Sequence, residues 1–335
     1  MPHHSRPAAA PMGDNHPSFQ TVGAASCRDM PDEIRQIVKM RKRIILYFLG
    51  CILIFMIAYE VLCLIARPVS DHPYFNPDNF WVIAHRGGRS LGPESTLYTF
   101  QRALDMGVDI LEVDVRTTKD GELILLHDRT VDRTTNGTGP ANNFTLTKLK
   151  ILDAGYRWSP DNGQTFPMRG KGLTIPTLAE VFKAFPKARI NIEIKESRTE
   201  DIARLCRLIR TYQKTDQVMV ASFDVSRLKK FRAQCPEVAT SSGAREVFLF
   251  YGLQWAHLED LYSPPAQALQ VPEYYGNRLV VTTRFLESAH ARNMRVHVWT
   301  VNDTQSMQRL IDMGVDGIMT DYPEKLLGLL DKDRN

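Results

Sequence analysis

Trp81-Val82-Ile83-Ala84-His85-Arg86-Gly87-Gly88 is a short apolar strand that runs straight into a histidine, an arginine and a glycine pair. Chemistry concentrates where a strand stops, and a Gly-Gly there lets backbone approach a ligand. Some thirty residues on, Ile110-Leu111-Glu112-Val113-Asp114-Val115 carries two carboxylates two positions apart. Strand side chains alternate faces, so Glu112 and Asp114 point the same way and call for a counter-charge. Thr118-Lys119-Asp120-Gly121-Glu122 then gives an Asp-Gly hairpin signal, followed by a second apolar strand ending in His127-Asp128. A two-residue turn pairs Lys119 with Glu122 and sets His127 opposite Asp114, a register that slips if the loop is longer. Two histidines, an inward carboxylate pair and Arg86 suggest acid–base chemistry on an anionic substrate held by a metal. Taken singly, each piece is more often a solvated edge or a satisfied polar group.

Residues Trp81 to about Pro323 resemble the glycerophosphodiester phosphodiesterase family in their succession of motifs. His85-Arg86-Gly87, Pro93-Glu94-Ser95-Thr96, Glu112-Val113-Asp114 and His127-Asp128 follow the family's order. Ser95 stands where the family usually has Asn, which bears on one supporting hydrogen bond. The resemblance implies a TIM (β/α)8 barrel, and the rhythm of strands and helices agrees with it. Helices are expected at 93–106, 177–185, 199–212, 225–234, 283–291 and 304–313. Strands are expected at 188–194, 217–221, 279–281, 295–299 and 317–319. The polar, Gly-rich and aromatic region 136–172 interrupts that rhythm and resembles the family's small insertion over the active-site mouth.

In Asn191-Ile192-Glu193-Ile194-Lys195, period two puts Glu193 and Lys195 on one face; the bland reading is an internal salt bridge. The resemblance makes Glu193 the third metal ligand beside Glu112 and Asp114. Three carboxylates in one mouth repel unless a cation joins them, and oxygen ligands suit Ca²⁺ or Mg²⁺. Arg86 and Lys195 are then left for the phosphate. Trp299, at the end of Arg295-Val296-His297-Val298-Trp299, is implied to wall the glycerol or alcohol group, and Phe223 has a similar, weaker claim. The implied reaction is metal-dependent hydrolysis of a glycerophosphodiester to glycerol 3-phosphate and an alcohol, with His85 and His127 sharing the proton transfers. Rival readings are a lysophospholipase D or other phospholipase of the same superfamily, and a non-catalytic membrane receptor, against which stands the presence of every residue type the chemistry needs.

Ahead of the barrel, the composition changes. Residues 1–43 read as a disordered tail ending in the basic run Lys39-Met40-Arg41-Lys42-Arg43, residues 44–66 as a single transmembrane helix, 67–80 as a short linker and 81–330 as the barrel. About 23 nearly continuous apolar residues suffice to span a bilayer and exceed the usual apolar stretch of a cleaved signal peptide. Glu60, the one ionisable residue inside, lies near the far end, where a carboxyl can be protonated or reach the interface. Basic residues crowd before the span, so the positive-inside rule puts the tail in the cytoplasm and the barrel outside, in the periplasm of a Gram-negative host. The short linker is expected to keep the mouth within reach of the bilayer, so lysophospholipids join water-soluble diesters as expected substrates.

A net charge of +4 spread over 335 residues leaves no nucleic-acid footprint. Of the five cysteines, only Cys206 and Cys235 belong to the globular part. They lie on separate predicted helices and are expected to be free rather than bridged. The sequence sets no oligomeric state.

Overall fold

The computed structural model describes residues 31–75, 80–195 and 198–332, in two compact units divided between Glu60 and Val61. The expected tail up to residue 30 lies outside the described residues. The first unit is dominated by one helix, Asp32–Ile65, with no buried residue. Among the described residues it is the one helix long and apolar enough to cross a membrane. It begins well before the apolar stretch, so the basic run 39–43 is helical.

In the second unit, eight parallel strands form a nearly closed barrel: Trp81–Ala84, Ile110–Thr117, Arg189–Ile194, Val218–Ala221, Ala239–Thr240, Ala268–Pro272, Arg295–Trp299 and Gly317–Thr320. The first pairs with the last (Trp81 opposite Gly317), and a Ser241–Ala268 bridge joins the fifth to the sixth. Each strand is followed by a helix: Leu97–Asp105, Leu178–Ala184, Thr199–Thr211, Val225–Gln234, Ala244–Trp255, Thr283–Ala291, Thr304–Met313 and Pro323–Lys332. Local chemistry sets their starts, because Thr177, Asp224, Thr282 and Asp303 each cap a helix by accepting a backbone N–H from its first turn. Strand periodicity divides the core in two. Val82 and Ala84 face the helices, where Phe100, Phe231, Phe250 and Phe285 are also buried, while Trp81 and Ile83 point inside the barrel with Ile110, Met219 and Met319. Each fully buried large side chain contributes about 1.5–3 kcal/mol.

Several expectations need correction. Residues 279–281 are not a barrel strand: Arg278–Leu279 closes a small hairpin with Tyr274–Tyr275, and the barrel position belongs to Ala268–Pro272. The short strand Ala239–Thr240 and the helix Ala244–Trp255 fall where no element is expected. Pro93 does not open a helix, which starts at Leu97 behind its cap Thr96. The hairpin after the second strand has a three-residue loop, Thr118 pairing with Glu122 and Gly121 adopting φ +86°. Asp114 therefore lies opposite Leu126, whose N–H donates to the Asp114 backbone carbonyl, and His127 follows one residue later. Cys206 and Cys235 are bonded, because the helices carrying or preceding them lie side by side with these Cα atoms 5.9 Å apart.

Residues 69–75, within the segment read as a short linker, are packed. Asn293 donates to the Val69 carbonyl, the His72 ring meets the Glu237 carbonyl, and Arg189 donates to that of Tyr74. Tyr74 is fully buried and Phe75 stacks on Trp81 at 5.6 Å. Trp81, Arg189, Glu237 and Asn293 all sit at or just before strand starts, so residues 69–75 form a strap across the barrel floor. The chain thus enters the barrel at the end opposite the strand ends that carry the polar cluster.

Candidate active site

At the end of the first strand the chain turns through His85–Gly87 with Arg86, Gly87 and Gly88 all in left-handed conformation, at φ 52°, 86° and 85°. The glycines answer a packing need: a Cβ on Gly87 would sit 2.6 Å from the Phe100 ring, and one on Gly88 2.8 Å from Pro323. For Arg86 the conformation is costly, and it is held by its surroundings. Its N–H donates to Glu112 Oε2 at 2.9 Å, its carbonyl accepts from Ser95, and its guanidinium lies 3.1 Å from Glu94 and 3.4 Å from Asp114. Ser95 is itself left-handed, at φ 57°, a conformation Asn adopts more readily. Its buried hydroxyl has no hydrogen-bond partner among the described residues.

The parallel register puts Asp114 beside Glu193, and one carboxylate oxygen from each of Glu112, Asp114 and Glu193 lies within 4.8 Å of the others. Lys195 Nζ approaches Glu193 at 2.8 Å and Asp114 at 3.0 Å. Burial, with the charges of Asp114 and Glu193, pushes the Glu112 carboxyl well above the usual range. Burial also raises Glu193, a rise that Lys195 opposes. Burial alone would lower the Lys195 ammonium, but Asp114 and Glu193 raise it. Lys195 and Arg86 therefore do not fully relieve the cluster. Asp114 is 1 % exposed, and neither carboxylate oxygen has a hydrogen-bond partner among the described residues, despite the adjacent cations. A buried, all-oxygen, under-satisfied donor set of this kind fits a hard divalent cation.

Both candidate histidines are held through Nδ1. His85 meets Asp321 at 2.7 Å, and Asp321 in turn accepts from the Asn302 amide at 3.0 Å. His127 meets Asp128 at 2.7 Å, and Arg133 donates to the other Asp128 oxygen at 2.6 Å. A carboxylate on Nδ1 selects the tautomer with its proton there and leaves Nε2 for proton transfer. Burial lowers the His127 pKa, against the raising effect of Asp128. A third strand histidine, His297, is buried against Trp81 inside the barrel, where desolvation brings it to about 4. It takes no part in this cluster.

Trp299 and Phe223, at two strand ends, meet edge to face at 5.6 Å, with Phe223 56 % exposed. The fold thus gathers His85, Arg86, Glu112, Asp114, His127, Glu193 and Lys195 at the mouth and sets Phe223 and Trp299 at strand ends on that same face. Sequence reasoning does not single out Asp321, Arg89, Glu94 or Arg133 as supports. Glu94 and Asp321 carry a local signal, one in the Pro93-Glu94 motif and the other at the end of the last strand. Arg89 and Arg133 carry none.

The sequence profile of the glycerophosphoryl diester phosphodiesterase family matches residues 85–325. A glycerophosphodiester phosphodiesterase of Caldanaerobacter subterraneus subsp. tengcongensis is 35% identical over 263 residues, covering 75% of this chain and 98% of that one. A human lysophospholipase D is 26% identical over 273 residues, covering 74% and 85%. An Oleispira antarctica phosphodiesterase, solved in complex with the product sn-glycerol-3-phosphate, superposes with a TM-score of 0.62 at 27% identity, covering 75% and 96%. Barrel, strand-end motifs and relatives agree: the chain belongs to the glycerophosphoryl diester phosphodiesterase family and is a phosphoric diester hydrolase.

Proposed function

We propose that this chain hydrolyses glycerophosphodiesters to glycerol 3-phosphate and an alcohol, using His85 and His127 as the acid–base pair. The observation that carries the reading is the gathering, at one barrel end, of two carboxylate-held imidazoles and a cluster of three carboxylates. One imidazole takes the proton of the nucleophile, water or the neighbouring glycerol hydroxyl, and the other delivers a proton to the departing alcohol oxygen. Arg86 and Lys195 bind the phosphoryl oxygens, and Phe223 and Trp299 line the alcohol side. Glu112, Asp114 and Glu193 would hold Ca²⁺ or Mg²⁺, whose bound charge offsets the negative charge that grows on the phosphoryl group. The oxygen donors do not discriminate between the two ions.

Lysophospholipid cleavage is a second reading, supported by aromatic exposure on this face. Phe248 meets Tyr275 edge to face at 5.6 Å, and Tyr275, on the hairpin after the sixth barrel strand, is 63 % exposed. The human lysophospholipase D relative supports the same reading. A metal-titrated assay of the full chain in detergent would compare glycerophosphocholine, glycerophosphoethanolamine, lysophosphatidylcholine and phosphatidylcholine. The two water-soluble diesters should turn over fastest, with the phosphate on glycerol and lysolipid slower. Preference for the double-chain lipid, or phosphate left on the choline, would overturn the assignment.

Reading residues 44–66, nearly all within the helix Asp32–Ile65, as the membrane span puts the basic run in the cytoplasm and the barrel outside. The buried Cys206–Cys235 bridge supports that side, since such bonds persist in oxidising compartments. The protein isolated with its thiols trapped should show these two cysteines oxidised and the barrel accessible to protease from the non-cytoplasmic face. Replacing both by serine should cost about 3–4 kcal/mol in denaturant unfolding, the loop-entropy effect of a crosslink across a separation of 29 residues. Free thiols together with a cytoplasmic barrel would refute the orientation.

A further inference from the structure

Glu94 meets three arginines, and each of them reaches a different acid of the site. Arg86 lies 3.1 Å from Glu94 and 3.4 Å from Asp114 in the carboxylate cluster. Arg89 lies 3.0 Å from Glu94 and 3.5 Å from Asp321, the partner of His85. Arg133 donates to both Glu94 oxygens at 2.7 Å and to Asp128, the partner of His127, at 2.6 Å. The Glu94 side chain is only 8% exposed, whereas those of Arg89 and Arg133 are about two-fifths exposed, at 43% and 41%. A guanidinium is planar with donors on two edges, so it can bridge two carboxylates at a set separation, which a flexible ammonium cannot do.

We propose that Glu94 is the hub that fixes the two histidines and the carboxylate cluster relative to one another, with Arg89 and Arg133 as positioning residues for His85 and His127. This rests on the acid–base reading above. The two imidazoles must serve opposite sides of one phosphorus, so their separation matters as much as the orientation of each. The residues that set it come from three places: the turn after the first strand (Arg89, Glu94), the segment after the hairpin (Asp128, Arg133) and the end of the last strand (Asp321). The insertion joins the same assembly, because the Trp158 indole donates to the Arg89 carbonyl at 3.1 Å. Arg89 and Arg133 are occupied by carboxylates on both sides, so they serve the geometry rather than the substrate phosphate.

The test uses the full chain at saturating metal with glycerophosphocholine. Arg133→Met should lower kcat on the order of tenfold to a hundredfold, the scale of a displaced catalytic group, while KM and the metal concentration for half activity stay within about twofold. Arg89→Met should behave likewise. Arg133→Lys should recover part of the loss, since an ammonium reaches one carboxylate but cannot span both. The double variant Arg133→Met/Asp128→Asn should be no slower than Asp128→Asn alone, because Arg133 acts through Asp128. Arg210→Met, which removes an exposed ion pair to Glu237, is the control for generic charge loss and should leave kcat unchanged. Wild-type kcat in Arg133→Met, a rise confined to KM, or multiplicative losses in the double variant would overturn the hub. His127→Ala in the same assay separates the two levels: if it is inactive while Arg133→Met is unimpaired, only the hub falls, and if it is fully active, the acid–base reading falls first.

Discussion

His127→Ala is expected to lower kcat by about 100- to 10,000-fold, the usual worth of a positioned acid or base, while fold and metal requirement stay as they are. The imidazole is half-buried and held by Asp128, and its pKa lies below the ordinary histidine value because of burial. His85→Ala should be as damaging, since Asp321 holds His85 in the corresponding way from the opposite end of the chain. Neither histidine belongs to the three-carboxylate cluster, so the metal concentration for half activity should not move in either variant. The double variant should be little worse than either single one, because two groups serving one proton relay act as a unit. Steady-state rates with a metal titration read all of this. A histidine variant that turns over at the wild-type rate would dissolve the pair, and one that only raised the metal requirement would make that histidine a ligand.

Removing the metal is the second large effect. Chelation should silence the wild type, and Glu112→Gln, Asp114→Asn or Glu193→Gln should each raise the metal concentration for half activity by at least about tenfold, as loss of a ligand's charge and geometry requires. Like charge is crowded here: Glu112 is pushed well above the carboxylate range by burial and by its neighbours, and Asp114 meets the Lys195 and Arg86 cations as ion pairs at 3.0 and 3.4 Å without fully offsetting three buried carboxylates. A cation bound only by the folded protein adds about 2.7 kcal/mol of stability at a hundredfold excess over its Kd. Adding metal should therefore raise the thermal midpoint of the wild type and do so far less in Asp114→Asn. That readout is independent of turnover. An enzyme indifferent to chelation, with a midpoint that ignores metal, would remove the ion from the mechanism.

Much of this site is legible because it is local. Glu112 and Asp114 share a face by strand geometry alone, Glu193 and Lys195 do so by the same rule, and His85 and His127 each end an apolar strand. Misread features depend on a choice that local pattern leaves open. Thr118-Lys119-Asp120-Gly121-Glu122 accommodates a two- or a three-residue loop, and Gly121 in left-handed conformation selects the longer one. That moves His127 one place past Asp114 without removing it from the mouth, because the hairpin still ends there. Ala268-Leu269-Gln270-Val271-Pro272 is less β-branched than Leu279-Val280-Val281 and ends in proline, yet it takes the barrel position by pairing with Arg295–Trp299. The glycine pair is required by Phe100 and Pro323, and no one-dimensional pattern contains that fact.

The chain by itself determines the barrel class, the long apolar helix ahead of it, and the acids, bases and cations at the strand ends, since strand period, apolar length and motif order all act over short stretches. Only the tertiary structure decides which distant groups meet. Asp321 reaches His85 across 236 positions and Arg133 reaches Glu94 across 39, while Cys206 finds Cys235 on a neighbouring segment. Residues 69–75, which look like a linker, become a floor strap for the same reason: Tyr74 and Phe75 find the Trp81 ring and the Arg189 side chain only once the barrel has closed around them. Side-chain periodicity is a property of a single strand or helix, but partner choice is set by the packing of all eight strands and their helices.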